Sequence, residues 1–297
     1  MPAEKTQSKV ERGVYLSLSA YIVLSLLKLG VGWFYSSEAL VADGLNNSTD
    51  ILASVAVLVG LKISRKPADR DHPYGHLRAE TIASMIASFI MVVIGLEVFI
   101  SAVKSIVEFK IKLPSTIAGF TAIVSAFVML AVYRYNIKLA RETDSQGLKA
   151  AALDNRSDAF VSIGAAVGIF GAQFGIVWLD PLAAVLVALM IIKTGWDIFY
   201  ETSHNLSDGF DYEEGKEMEK KILQVIGVKQ VTDLKARNHG SSAIIDVTIH
   251  VNPSLNVIES HEITENIEAM LKQAYKVGSI SVHVEPHEMK KEVERNE

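Results

Sequence analysis

The sequence predicts a membrane all-α six-helix bundle followed by a small cytosolic α+β domain of order αββαβ. Three observations predict this fold class. Hydrophobic residues make up 49% of the 297 residues, and a mean hydropathy of +0.26 is high for a water-soluble domain of this size. Apolar stretches of about 20 residues, enough to cross a hydrocarbon core of about 30 Å, recur before Ser207. After Ser207 the pattern becomes amphipathic and alternating.

Six apolar stretches are the predicted transmembrane helices, near residues 14–35, 39–63, 79–107, 116–139, 148–174 and 178–200. Basic residues flank the connections on one side of the bundle. On the other side the connections at 35–38 and 174–177 contain none, and the one near 108–115 contains Lys110 and Lys112. The positive-inside rule therefore places both termini in the cytoplasm. The predicted organisation is a cytosolic segment at 1–13, a six-helix transmembrane domain at 14–206, a cytosolic domain at 207–288 and a disordered tail at 289–297.

The αββαβ order is predicted from five consecutive patterns after the last apolar stretch. Residues 211–226 have helical periodicity with acidic residues in the first turn. Residues 228–237 and 243–251 alternate and are rich in β-branched side chains, which predicts a hairpin with its turn at 239–241. Residues 257–275 predict a second amphipathic helix, and residues 279–284 a third strand.

Charge and cysteine content exclude several classes of function. From Asp208 onward 17 acidic residues face 11 basic ones, so this part lacks the basic surface that a nucleic-acid partner requires. The chain has no cysteine, which excludes disulfides and thiolate metal sites. Residues 1–13 lack an apolar core, so no cleaved signal peptide is expected.

Two of the apolar stretches carry oxygen-bearing side chains at a four-residue spacing. Asn46 and Asp50 lie in the second stretch, and Asp154 and Asp158 lie in the fifth. This spacing stacks the two side chains on one face of a helix. An aspartate at the centre of a bilayer costs about 2.5 kcal/mol or more, so three of them predict a cation that offsets their charge. A structural hydrogen-bond cluster between helices is the alternative. The polar neighbours predicted to support these ligands are Asp43, Asn47 and Asn155.

Three further charged residues are single within their apolar stretches. They are Lys28, Glu97 and Asp197. Each is expected to form an ion pair, to reach an interface with its polar end or to lie close to one.

The order and spacing of three motifs resemble the cation diffusion facilitator family. They are SEALVADG at 37–44 running into Asn46 and Asp50, the loop DHPYGHLRAE at 71–80, and the pair Asp154 and Asp158. The resemblance covers nearly the whole chain after Ser17. It implies a homodimeric, non-enzymatic antiporter that exports divalent metal from the cytoplasm in exchange for protons. The implied location is the cell membrane, in a bacterium.

The donor atoms favour a hard cation as cargo. All eight histidines lie outside the apolar stretches, and the family's zinc transporters are similar but carry histidine in this site. Carboxylate and amide oxygens suit Mn²⁺, whereas imidazole suits zinc. The set Asn46, Asp50, Asp154 and Asp158 therefore predicts Mn²⁺, as in the family's manganese exporters. Fe²⁺ is the nearest alternative, and Zn²⁺ and Co²⁺ are further ones.

The resemblance also implies accessory positions. Asp69, His72 and His76 match a second metal site in the first cytoplasmic loop. His261, His283 and Glu285 match a cytosolic regulatory site. Two histidines of that site are replaced here by Thr232 and Thr248, for which Asp246 and His250 are candidate substitutes. Surface histidines without metal are the alternative in both places. Arg78 and Asp208 match a charge interlock between the membrane and cytosolic parts.

Two other classes of function compete with transport. A membrane sensor or scaffold would bind the same metal without moving it. An intramembrane hydrolase is disfavoured, because the apolar stretches contain no histidine or metalloprotease motif and Ser48 and Ser157 have no general base of the usual kind.

Overall fold

A computed structural model describes residues 2–109, 112–143, 145–240 and 242–287. The chain divides into two compact units. One combines Met1–Leu58 with Ser84–Phe199 and is referred to as the helical unit; the other combines Val59–Ala83 with Tyr200–Glu297 and is referred to as the mixed unit. The predicted tail at 289–297 lies outside the described residues.

Six long helices form the first part of the described chain. They are α1 Pro2–Phe34, α2 Glu38–Ser64, α3 Arg78–Val107, α4 Thr116–Thr143, α5 Gln146–Gln173 and α6 Leu179–Leu206. By length and composition, five of these described helices are long and apolar enough to span a membrane. The sixth is α5, whose first half carries Lys149, Asp154, Arg156 and Asp158. The predicted six-helix bundle is confirmed, and the helix that departs from the apolar pattern is one of the two predicted to hold the cation.

The helices extend further than the apolar stretches that predicted them. Helix α1 begins at Pro2, although the apolar stretch begins near residue 14, and α6 ends at Leu206, although the stretch ends near residue 200. Apolar length marks the part of a helix that crosses lipid. Polar residues can continue the same helix beyond it, because backbone hydrogen bonds within a helix need no apolar side chains.

Small residues allow α3 and α6 to approach closely. A Cβ atom added to Gly95 would lie 2.7 Å from Ile192 of α6, and one added to Gly195 would lie 3.0 Å from the Ser88 carbonyl oxygen of α3. Larger side chains at these glycines would therefore force the helices apart. Close packing through small residues is typical of helices in lipid, where no hydrophobic effect drives helices together.

The start of α2 is held by a residue of α6. Asp180 is buried and accepts hydrogen bonds from the Ser37 hydroxyl and the Glu38 amide, both at 2.7 Å. Ser37 in turn accepts a hydrogen bond from the Leu40 amide at 3.1 Å and so caps the helix. These bonds fix the end of α2 from which Asn46 and Asp50 lie about two and three turns further along.

The mixed unit contains the predicted αββαβ order. Its elements are α7 Tyr212–Ile222, β1 Gln230–His239, β2 Ser242–Val251, α8 Val257–Ala274 and β3 Val277–Pro286. The sheet order is β1-β2-β3, with β1 and β2 antiparallel and β2 and β3 parallel. A helix between two parallel strands is the connection that this topology requires, and α8 provides it.

The core of this domain lies between the central strand and the two helices. Ile245 and Ile249 of β2 are fully buried with Ile222 of α7 and Ile267 of α8. Helix α8 begins with a capping box, in which Asn256 and Glu259 each accept a hydrogen bond from the other's backbone amide. The inward face of β2 alternates with its outward face, as the sequence pattern predicts.

Candidate metal centre

The four predicted ligands of the transmembrane site line one cavity of about 540 Å³ in the helical unit. Asn46 and Asp50 approach it from α2, and Asp154 and Asp158 from α5. Each pair is four residues apart, so both members lie on the helix face that points into this space. We refer to this space as the oxygen cavity.

Asp158 is the most constrained member of the set. Its Oδ1 accepts a hydrogen bond from Asn46 Nδ2, and its Oδ2 accepts one from the Tyr21 hydroxyl, both at 2.9 Å. Asp50 differs, because its Oδ2 is buried without a hydrogen-bond partner. Asp154 differs again, because its side chain is exposed. A buried carboxylate oxygen without a donor can accept a cation at little cost in existing bonds.

A polar chain from α1 and α4 supports Asp158. The Asn155 amide donates to the Tyr21 hydroxyl at 2.9 Å, and Asn155 Oδ1 accepts from Ser17 at 3.0 Å and from Asn136 at 3.1 Å. Asn155 therefore holds Tyr21, and Tyr21 holds Asp158. Sequence reasoning named Asn155 but missed Tyr21, Ser17 and Asn136. The signal available for them was a polar side chain inside an apolar stretch.

Asp43 and Asn47 contact a lysine rather than the oxygen cavity. Asp43 Oδ1 accepts a hydrogen bond from Lys28 Nζ at 2.9 Å, and Asn47 Oδ1 accepts one at 2.7 Å. Neither residue lines the cavity. Among the three outcomes expected for Lys28, the structure selects an ion pair. The supporting role predicted for Asp43 and Asn47 stays a prediction.

The loop between α2 and α3 brings Asp69, His72 and His76 together. Asp69 Oδ1 accepts hydrogen bonds from the His72 amide at 2.7 Å and from the Asp71 amide at 3.0 Å. His76 Nε2 lies 3.5 Å from Asp69 Oδ2. The backbone bond from His72 is the main cause of a lowered Asp69 pKa, so this carboxylate is ionised near neutral pH. We refer to these three residues as the loop cluster.

The loop cluster is more compact than the carboxylates of the oxygen cavity. Among the described residues it is the one group of three or more histidine, aspartate or glutamate side chains whose ligand atoms all lie within 4.8 Å of one another. Its members are largely at the surface, with His72 57% and Asp69 53% exposed. Compactness alone therefore does not distinguish a cargo site from a surface group.

On the sheet, the structure brings together part of the predicted cytosolic set. His250 Nε2 lies 3.1 Å from Glu285 Oε2, and His283 Nε2 lies 3.5 Å from Glu285 Oε1. His250 and Glu285 are paired directly across β2 and β3. We refer to these three residues as the strand cluster. His261 contacts Glu265 of its own helix at 3.5 Å, and Asp246 pairs in register with Lys235 of β1.

Arg78 and Asp208 form a direct ion pair within the mixed unit. Arg237 Nη1 lies 3.8 Å from the other oxygen of Asp208. His239, at the end of β1, is buried close to both arginines. Burial, followed by the two positive charges, lowers the His239 pKa and so favours its neutral form. Sequence reasoning named the Arg78 and Asp208 pair but not the participation of Arg237.

Comparison with known proteins covers both parts of the chain. Residues 14–207 match the family model of the cation efflux transmembrane domain, and residues 210–287 match that of the cation efflux protein cytoplasmic domain. Manganese efflux system protein MneS of Bacillus subtilis strain 168 is 52% identical over 282 residues, which cover 95% of this chain and 97% of MneS.

Two further relatives from the same strain align over almost their whole length. Uncharacterized transporter YdbO is 46% identical over 289 residues, which cover 97% of this chain and 100% of YdbO. Manganese efflux system protein MneP is 31% identical over 297 residues, which cover 97% of this chain and 99% of MneP.

Proposed function

The chain belongs to the cation diffusion facilitator family, a family of multi-pass membrane proteins for cation efflux, and we propose that it exports Mn²⁺ from the cytoplasm in exchange for protons. The observation that carries this proposal is the donor set of the oxygen cavity. Asn46, Asp50, Asp154 and Asp158 line it, and no histidine does. Carboxylate and carbonyl oxygens are the ligands that Mn²⁺ prefers, whereas imidazole suits zinc.

Binding of the cation would rearrange two hydrogen bonds around Asp158. Asn46 donates its amide N–H to this carboxylate, and rotation of the amide by half a turn would direct its oxygen to the cation instead. Tyr21 would adjust its hydrogen bond to Asp158 Oδ2, which a coordinating carboxylate oxygen can keep because it has two lone pairs. Asp50 Oδ2, which has no partner, is ready to coordinate without such an exchange.

Exchange with protons follows from the use of the same oxygen atoms. When a proton is bonded to a lone pair of a carboxylate oxygen, that lone pair cannot coordinate a metal. Asp50, Asp154 and Asp158 are all carboxylates, so cation binding and proton binding compete at this site. We therefore propose that a cation loaded from the cytoplasm displaces protons, and that protons from the outer side displace the cation.

Orientation and assembly complete the proposal. Basic residues on the inner connections support a cytoplasmic position for both termini. With that orientation, transport away from the end at which α1 begins is export. We propose a location in the cell membrane of a bacterium and a homodimer formed through the αββαβ domain. The proposed activity is transport without covalent chemistry, so no catalytic residue is assigned.

Ferrous iron is a second candidate cargo. Met91 and Met190 also line the oxygen cavity, and thioether sulfur is a softer ligand than oxygen. Contact with either sulfur would favour Fe²⁺, which binds a given site somewhat more tightly than Mn²⁺. In the remaining transport alternatives, the ion that is exported is Zn²⁺ or Co²⁺. A sensor that binds metal without moving it is the alternative outside transport.

Flux measurements separate these candidates. The full-length chain in proteoliposomes is tested with Mn²⁺, Fe²⁺, Zn²⁺ and Co²⁺ under an imposed proton gradient. We expect Mn²⁺ to be moved fastest and its flux to disappear in Asp154→Ala. Asp197→Ala is the matched control, because Asp197 is an exposed aspartate of α6 that contacts Lys193. Binding without flux would indicate a sensor, and unchanged flux in Asp154→Ala would reject the proposed site.

A further inference from the structure

Lys28 is a fully buried charge in the helical unit. Its ammonium donates hydrogen bonds to Asp43 Oδ1 at 2.9 Å, Asn47 Oδ1 at 2.7 Å and Ser162 Oγ at 2.9 Å. All four side chains are 0% exposed. A charge in this position is costly unless a partner offsets it, and intramembrane charges of this kind usually serve a function. We refer to these four residues as the lysine network.

The lysine network lies one helical turn from the oxygen cavity on both helices. Asp43 is three residues before Asn46 on α2, and Ser162 is four residues after Asp158 on α5. Because α2 starts and α5 ends on the outer side, both displacements point outward. A turn of helix advances about 5.4 Å, so the network forms the next polar layer on the outward route.

The oxygen cavity extends in the opposite direction. Its lining includes Ala53 and Leu58 further along α2, and Ala151 near the start of α5. The cavity therefore extends toward the inner side, whereas the four side chains of the lysine network are fully buried.

Helix α1 connects the two layers. Tyr21 binds Asp158 in the oxygen cavity, and Lys28 binds Asp43 in the outer layer. These α1 residues are seven positions apart and so lie on the same side of the helix. A cation that moves Asp158 would also move its hydrogen-bond partner Tyr21, and any resulting movement of α1 would act on Lys28.

We propose that Lys28 is a positioning residue that closes the outer side of the transport site. Its ammonium fills the oxygens of Asp43, Asn47 and Ser162 as a tethered cation. A metal ion that moves outward would meet a positive charge, and Asp43, the carboxylate of this layer, is already paired with that charge. Outward release therefore requires the ammonium to leave this layer.

The network is also suited to opening, because it is not completely satisfied. The amide nitrogen of Asn47 and the Oδ2 atom of Asp43 are both buried without a hydrogen-bond partner. These groups are four residues apart on α2, on neighbouring positions of one helix face. Partly satisfied buried networks are less stable than complete ones, so a rearranged layer can compete with the closed one.

Cysteine accessibility tests this inference directly, since the chain has no cysteine of its own. Ala165→Cys places an outer reporter in a fully buried position three residues after Ser162. Ala53→Cys places an inner reporter in the oxygen cavity. Each is introduced into the full-length chain in proteoliposomes, and a charged, membrane-impermeant maleimide is added from either side without metal. The test variant is Lys28→Met combined with Asp43→Asn, which removes both charges of the pair.

We expect the double variant to raise the labelling rate of the outer reporter by about tenfold and to lower that of the inner reporter, because the population moves toward an outward-open state. Lys28→Arg keeps the charge and should protect the outer reporter. Lys193→Met, which removes an exposed lysine of α6, should change neither rate. An increase at both reporters would indicate a loosened fold and overturn the inference, as would no change at either.

A milder variant keeps the test decisive if the double variant does not fold. Ser162→Ala removes one of the three acceptors of the ammonium and should shift both reporters in the same directions by a smaller factor; unchanged reporters would reject the role of Lys28. The inference rests on the proposed export direction, but the labelling needs no cargo. Mn²⁺ flux is measured in the same vesicles. An incorrect assignment of Mn²⁺ would appear in the flux alone, whereas an incorrect role of Lys28 would appear in the labelling rates.

Discussion

The oxygen cavity and the loop cluster represent two ways of grouping potential metal ligands in one chain. The loop cluster is compact, contains two imidazoles and lies at the surface. The oxygen cavity contains carboxylates and an amide, lies within the helical unit and holds its carboxylates further apart. The difference teaches that the proposed cargo site rests on donor atoms and enclosing helices and not on compactness. A transported ion must be released, and a loosely grouped oxygen set binds a hard cation without trapping it.

Replacement of Asp158 should have the largest effect on this comparison. Asp158→Ala removes a carboxylate that both Asn46 and Tyr21 contact. We expect Mn²⁺ efflux in proteoliposomes to fall by more than about 100-fold, which exceeds the loss typical of a residue that only orients a ligand. The dimer should remain intact by size-exclusion chromatography. Efflux within threefold of wild type, as expected for Asp197→Ala, would place the cargo site elsewhere.

Replacement of one oxygen ligand of the cavity by a histidine should have the next largest effect. Asp154 is exposed in the cavity, so a histidine fits there without repacking the helices. Asp154→His should change the ratio of Zn²⁺ to Mn²⁺ flux by about tenfold in favour of Zn²⁺, because imidazole suits zinc. Flux of both metals is measured in the same vesicles. A ratio equal to that of wild type would mean that donor type does not determine selectivity.

Most of the fold was accessible from sequence because apolar length reports directly on membrane-crossing helices. The first turns of α1 were not accessible, since residues 2–13 are mostly polar and give no such signal. The αββαβ order was accessible from alternation and helical periodicity. Its hairpin was placed correctly because the turn contains Gly240, which adopts a φ of 63° that suits glycine.

The candidate site was only partly accessible from sequence. The four-residue spacing predicts that Asn46 and Asp50 share a face, and the structure places that face in the oxygen cavity. The partners of these residues depend on how separate helices are rotated, which no local pattern records. Tyr21 lies 137 positions from Asp158 in the sequence, and Lys28 lies 15 positions from Asp43 on a different helix.

Removal of the loop histidines should have a small effect on cargo. His72→Ala together with His76→Ala removes both imidazoles of the loop cluster while leaving the oxygen cavity untouched. We expect Mn²⁺ efflux to stay within about threefold of wild type, because neither imidazole lines the oxygen cavity. The matched control is Tyr74→Ala, an exposed aromatic of the same loop. Loss of Mn²⁺ efflux in the histidine variant alone would assign the loop a direct part in transport.

The smallest expected effect concerns pH and the mixed unit. Burial and the nearby arginines lower the His239 pKa, so the unfolded chain binds a proton there more readily than the folded chain. The stabilising contribution is present above the unfolded pKa of about 6.5 and is lost as pH falls below it. Thermal unfolding of the metal-free chain is measured between pH 7.5 and 5.5, about one unit on either side of that value. The midpoint temperature of unfolding should decrease as the pH is lowered. His239→Gln should reduce this decrease, and an identical pH profile would show that His239 does not contribute.

The most direct test of the oxygen set is the ligand environment of bound Mn²⁺. A full-length variant in which His72, His76, His250, His261 and His283 are replaced by alanine is loaded with Mn²⁺ and measured by electron spin echo spectroscopy. We predict a bound ion without coupling to imidazole nitrogen, and loss of that signal when Asp158→Ala is added. Imidazole coupling in the variant, or bound Mn²⁺ that is insensitive to Asp158→Ala, would contradict the assignment of the oxygen cavity as the cargo site.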